Sequence, residues 1–96
     1  MNDPGSTVAS TGGAAVVDAL AAHGVNAIFG IPGTHNLAVY ESLASHPEMT
    51  HVLARHEQGS GFMADGYARA SGEFGVCLST TGPAALNVLT PLGTAF

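Results

Sequence analysis

Three short clusters hold most of the residues in this chain that could do chemistry. They are Gly30-Ile31-Pro32-Gly33 followed by Thr34, His35 and Asn36; Arg55-His56-Glu57-Gln58; and Ser79-Thr80-Thr81-Gly82-Pro83 with Asn87 four residues on. Glu57 is a carboxyl in a polar loop, and such a group can act as a general acid or base when geometry and pKa suit. Its plainer reading is a first-turn glutamate favoured by a helix dipole, which explains one charge but not the whole Arg-His-Glu-Gln block. Gly30, Pro32 and Gly33 suit a backbone that a ligand must approach closely, although composition alone favours an ordinary strand-to-helix turn. Thr34 and His35 could face a substrate, while Asn36 equally suits a helix cap. His56 could contact a substrate or merely support its loop. Ser79, Thr80 and Asn87 offer hydroxyl and amide groups for a ligand or an opposing subunit, with turn backbone as the ordinary use for them.

Other titratable residues carry less. The histidines His23, His46 and His51 fall at helix ends or in a strand, where structural roles prevail. There is no second cysteine and no histidine pair on one helical face, so no metal site is expected. Asp65 and Arg69 stand four apart and suit an ion pair or a brace between helices.

These clusters need a frame. Ala14, Val17, Leu20 and Ala21 recur at helical spacing between Gly13 and His23, with Thr11 as cap and Gly24 just past the end. Val25 to Phe29 predicts a strand broken by Gly-Ile-Pro-Gly, and Leu37, Tyr40, Leu43 and Ala44 predict a helix from Asn36 to Ser45, closed by His46-Pro47. Met49 to Leu53 predicts a second strand. Phe62, Met63, Gly66, Tyr67 and Ala70 predict a helix stopped by Gly72, Gly75 to Ser79 a third strand, and Leu86, Leu89 and Leu92 a last helical stretch towards Phe96 despite Pro91. The order α-β-α-β-α-β-α predicts an open parallel α/β sheet with flanking helices, flavodoxin-like, with about three strands and four helices. Ligands of such sheets bind beyond the carboxyl ends of the strands, where all three clusters fall. Three parallel strands leave an open edge and the last helix lacks a following strand, so the fold is expected to be incomplete.

The bulk composition narrows the partners. Only 9% of residues are charged against 46% hydrophobic, which suggests a surface meant to be covered and an isolated chain prone to instability or aggregation. Two basic and seven acidic residues give a net charge of −5, so neither nucleic acid nor an anionic membrane is an expected partner. The lone Cys77 sits in an apolar run, as a small buried hydrophobe would, and a cytoplasmic location fits best. Residues 1–11 have neither a basic start nor an apolar stretch and are expected to be a flexible leader before a domain over residues 12–96.

Phe29-Gly30-Ile31-Pro32-Gly33, Arg55-His56-Glu57-Gln58-Gly59 and Met63-Ala64-Asp65-Gly66-Tyr67-Ala68-Arg69, in this order and spacing, resemble the N-terminal pyrimidine-binding domain of thiamine-diphosphate-dependent enzymes, the acetolactate synthase and 2-oxo acid decarboxylase superfamily. Thr81-Gly82-Pro83 with Asn87 resembles a further turn of that family, with Ala84 where glycine is usual. The resemblance runs from Gly12 to Phe96 and implies thiamine diphosphate as cofactor. It makes Glu57 the residue that exchanges a proton with the aminopyrimidine ring. Cofactor contacts are implied at Gly30, Ile31, Pro32, Gly33, Glu57, Thr81, Gly82, Pro83 and Asn87, and substrate contacts at Thr34, His35 and His56. It also implies a small 2-oxo acid substrate and a cofactor lying between two subunits, as a homodimer or with a longer homologous chain. No Gly-Asp-Gly followed by paired asparagines occurs, so the Mg²⁺ that anchors the diphosphate is expected on a domain outside this chain. FAD joins the cofactor in some relatives and is undetermined here. The chain alone is expected to be inactive; the alternative is a non-catalytic or split-subunit partner of a longer homologue.

Overall fold

A computed structural model describes residues 11–96 of the chain. The leader expected over residues 1–11 lies outside them except for Thr11, whose Oγ1 accepts a hydrogen bond from the Ala14 amide (3.1 Å) and caps helix α1, Gly12–Ala22. That helix ends at Gly24, whose φ of 78° lies in the left-handed region that glycine enters without a Cβ penalty. Strand β1, Ala27–Gly30, follows; then a single 3-10 turn, Thr34–Asn36, leads into helix α2, Leu37–Leu43. Strand β2 is Thr50–Leu53, helix α3 is Glu57–Ser71, and Gly72 (φ 73°) stops it. Strand β3, Val76–Leu78, precedes helices α4, Pro83–Leu86, and α5, Leu89–Ala95.

The three strands form one parallel sheet in the order β2-β1-β3, with Ala27 opposite Thr50 and Ile28 opposite both His51 and Val76. The expected open parallel α/β sheet flanked by helices is therefore the fold of the chain. All four residues of central β1 are buried, as the continuous apolar run Ala-Ile-Phe requires of a strand covered on both faces. On one face Ile28 joins Val17, Val25 and Met49, with Leu20, Val39 and Leu43 packed around them. On the other, Ala27 and Phe29 meet Ala64 of α3, with Val52, Met63, Tyr67 and Cys77 at the margin, and the Phe29 and Tyr67 rings lie 5.7 Å apart.

Element ends differ from the sequence reading for local reasons. Val25 is not yet strand, because its amide closes the end of α1 on Leu20 O (3.1 Å). Helix α2 stops at Leu43, where the amides of Ala44, Ser45 and His46 turn back to carbonyls three residues earlier. The last helical stretch is two helices. Pro91 has no N–H, and its ring would collide with the carbonyl of Asn87 in a continuous helix, so the chain breaks at Asn87-Val88 and restarts with Pro91 in the first turn of α5. Pro91 is fully buried against Gly61 of α3, where a Cβ would run into its ring. Among the described residues, no helix is long and apolar enough to cross a membrane.

Candidate functional site

The loops after the three strands meet at the carboxyl rim of the sheet, tied by backbone bonds. The Ile31 amide donates to Leu78 O (3.3 Å), and the Ala54 amide to Gly30 O (3.1 Å). In the first loop Asn36 is 4% exposed, and its side chain works backwards: Oδ1 accepts from the Gly33 amide (2.7 Å) while Nδ2 donates to Ile31 O (3.2 Å). Asn36 stands at the cap position of α2 but makes no side-chain cap bond, so the cap reading gives way to a staple across Gly-Ile-Pro-Gly. The glycines here are needed by the protein itself. A Cβ on Gly30 would strike Leu78 O and approach the Tyr40 hydroxyl (2.9 Å), and one on Gly33 would lie 2.7 Å from Thr80 Cβ. Beneath the loop, the Tyr40 hydroxyl and His51 Nε2 are hydrogen-bonded at 2.7 Å. Burial pushes the Tyr40 pKa up and the His51 pKa down, so the pair is neutral at pH 7.

Glu57 is the first residue of α3, and His56 is its cap, with ring Nδ1 accepting from the Gln58 amide (3.0 Å). Ser60, fully buried, closes the same turn by donating to Glu57 O (2.8 Å). The Glu57 carboxylate accepts from Asn87 Nδ2 at Oε1 (3.2 Å). Asn87 Nδ2 also lies 3.5 Å from His56 Nε2. With Nδ1 accepting, a neutral His56 ring carries its proton on Nε2, so that approach sets two donors face to face and the amide's bond is the one to Glu57. The Glu57 carboxyl is held below the usual carboxylate range, first by its own backbone N–H, then by the Asn87 amide. It is ionised at neutral pH.

In the third loop Gly82 takes φ 69°, which lets the chain turn into α4 with Pro83 at its start. The Thr81 hydroxyl bonds His35 Nδ1 (3.1 Å), joining the loops after β1 and β3. Thr80 Oγ1 is buried with no hydrogen-bond partner among the described residues. The rim thus brings Glu57, His56 and Asn87 into one group and His35 and Thr81 into another, while Pro32 and Thr34 stay exposed on the first loop. Away from the rim, Asp65 takes Arg69 Nε at 3.0 Å, and Arg69 also donates to Thr94 O (3.0 Å), so this pair does brace α3 to α5. Asn36 as a staple, the Tyr40-His51 pair and the unpartnered Thr80 were not read from the sequence; no periodicity or motif marks them.

Residues 10–96 match the family described as thiamine pyrophosphate enzyme, N-terminal TPP binding domain. The chain belongs to this family. It is the N-terminal thiamine-diphosphate-binding domain found in acetolactate synthase-like enzymes and decarboxylases, and thiamine diphosphate is its cofactor. It is 55% identical to a probable 2-ketoarginine decarboxylase of Pseudomonas aeruginosa over 90% of this chain and 15% of that protein. Identity to an acetolactate synthase of Arthrospira platensis is 49%, over 90% of this chain and 15% of the synthase. A probable acetolactate synthase large subunit of Methanocaldococcus jannaschii is 49% identical over 88% of this chain and 14% of its own length. The chain thus spans about one seventh of the length of these relatives. Among the described residues of this domain no group of three or more His, Cys, Asp or Glu is gathered to hold a metal ion.

Proposed function

We propose that this chain supplies the aminopyrimidine half of a thiamine-diphosphate site in an enzyme acting on 2-oxo acids, and that Glu57 exchanges a proton with the ring nitrogen. When bound, the cofactor supplies a thiazolium carbon that can add to the ketone of a 2-oxo acid. The observation that carries the reading is Glu57 itself: a half-buried, ionised carboxylate on the strand-end rim, with one oxygen fixed by Asn87. The residues present fit the aminopyrimidine, because a held carboxylate is the natural partner of a protonated ring nitrogen. Gly30, Ile31, Pro32 and Gly33, whose loop the Asn36 side chain staples, are assigned to the cofactor together with Thr81, Gly82 and Pro83 at the turn into α4. Thr34, His35 and His56 are the polar groups of this rim assigned to the substrate.

Mg²⁺ is assigned to a separate diphosphate-binding domain, in keeping with the described residues, which gather no group of three or more His, Cys, Asp or Glu, and the facing half of the site to a second subunit, in a cytoplasmic enzyme of lyase or transferase type. The chain alone then turns over no substrate. The test is hydrogen-deuterium exchange at the cofactor C2 in the assembled enzyme that carries this domain. E57Q keeps the shape and removes the titratable group, so exchange should fall by about 10²- to 10⁴-fold, the range for a positioned acid or base. Exchange at the unaltered rate overturns the role of Glu57.

A further inference from the structure

We propose that Asn87 is the positioning residue of Glu57, acting through the carboxylate rather than by touching the cofactor, and that the helix break before Pro91 is what delivers it. The inference rests on the role of Glu57 proposed above. Asn87 and Glu57 are thirty residues apart in the chain, yet the amide Nδ2 donates to Oε1 at 3.2 Å. A continuous helix from Pro83 onward would carry residue 87 through a regular turn, its carbonyl committed to the residue four ahead. That residue is Pro91, which can accept no such arrangement. The chain instead closes α4 at Asn87, whose own amide bonds Pro83 O (3.1 Å), and starts afresh at Leu89.

The same proline fixes where the break sits. Its ring is buried on Gly61, one turn along α3 from Glu57, where no larger residue fits. Arg69 holds the far end of α5 by its bond to Thr94 O (3.0 Å). Helix α5 is therefore clamped at two points on the helix that Glu57 begins, and Asn87, just ahead of it, is held over the first turn. His56 caps the same turn through Nδ1, which accepts from the Gln58 amide, and the side-chain donor that meets the Glu57 carboxylate is Asn87. With one carboxylate oxygen engaged by Asn87, the carboxylate cannot swing freely away from the rim. The bond lowers the Glu57 pKa, in keeping with this geometry.

The test needs no cofactor. The Glu57 carboxyl carbon is followed by ¹³C NMR as the full chain is titrated with acid, in the native protein and in N87A, with backbone amide spectra as the check on folding. Removing the donor should move the Glu57 midpoint to higher pH while the sheet amides stay in place. N87Q, which keeps an amide, should move it back towards the native value. In the native chain the Asn87 side-chain N–H protons should shift with the Glu57 midpoint, and in E57Q they should not. An unchanged Glu57 midpoint in N87A, or Asn87 protons blind to Glu57, overturns the proposal. Either failure leaves the proton exchange of Glu57 standing, because that role fails only if E57Q leaves C2 exchange unaltered.

Discussion

At the residue scale the rim is a set of paired polar groups rather than a row of free ones. Glu57 pairs with Asn87, His35 with Thr81, Asn36 with the Gly33 amide and Ile31 carbonyl. A different cluster gives a pH-dependent prediction. His46 lies between Asp18 of α1 (Nε2 to Oδ1, 3.1 Å) and Glu48 (Nδ1 to Oε2, 2.9 Å), and only the doubly protonated ring can donate to both. Its pKa is raised, first by the Glu48 bond, while the Glu48 pKa is lowered by His46. A raised folded pKa stabilises fully below the unfolded value of about 6.5, and the contribution is lost as pH rises through the folded value. The melting-temperature difference between the native chain and His46→Asn should therefore shrink slightly as pH rises from roughly 6 to 8, while His51, whose pKa burial lowers, contributes a slope of opposite sign common to both proteins. The effect is small because both carboxylates are about half exposed. Equal slopes in the two proteins would remove this role.

At the element scale, glycines and one proline decide how closely the helices and loops can approach. Gly13 of α1 faces Ala38 of α2, with the place of a Cβ only 2.5 Å from Ala38 O. Gly13→Val should push the helices apart and cost about 1–3 kcal/mol, as overpacking a tight contact does, read as a lower denaturant midpoint with little change in slope. A Gly13→Val chain as stable as the native one would show that α1 and α2 are free to shift. Much at this scale was legible in the sequence. Thr11, Gly24 and Gly72 mark helix ends because capping and left-handed turns are local, and Ala27-Ile28-Phe29 mark the central strand because burial on both faces leaves a continuous apolar run. The glycines at 30 and 33 were legible as a site loop, but their reason lies in Leu78, Tyr40 and Thr80, which long-range packing brings there. The break at Asn87 had its signal in Pro91, yet the apolar spacing of Leu86, Leu89 and Leu92 reads straight across it. Those three leucines are more than half exposed, so the period reports a surface and not a core.

At the scale of the whole molecule, the described residues form a three-stranded sheet with two open edges, and Leu53 of β2, Leu86, Leu89 and Leu92 of α4 and α5, and Phe74 and Phe96 outside these elements lie exposed. A low charge content and exposed apolar side chains are what a part of a larger assembly presents, which fits a chain spanning about one seventh of its relatives. The candidate site was legible because its residues come in contiguous blocks that sit on the rim of a predictable sheet. Which of them touch was not legible, since Glu57 and Asn87 meet only through the docking of α5 on α3. The account turns on Glu57 meeting the aminopyrimidine, and the direct measurement is the Glu57 carboxyl ¹³C resonance as thiamine diphosphate is added in large excess to the chain at neutral pH. The expected result is a saturable shift of that resonance together with the amides of Ile31, Gly33 and Gly82. If those rim amides move while the Glu57 carboxyl stays unchanged, the cofactor docks without Glu57 and the account is contradicted.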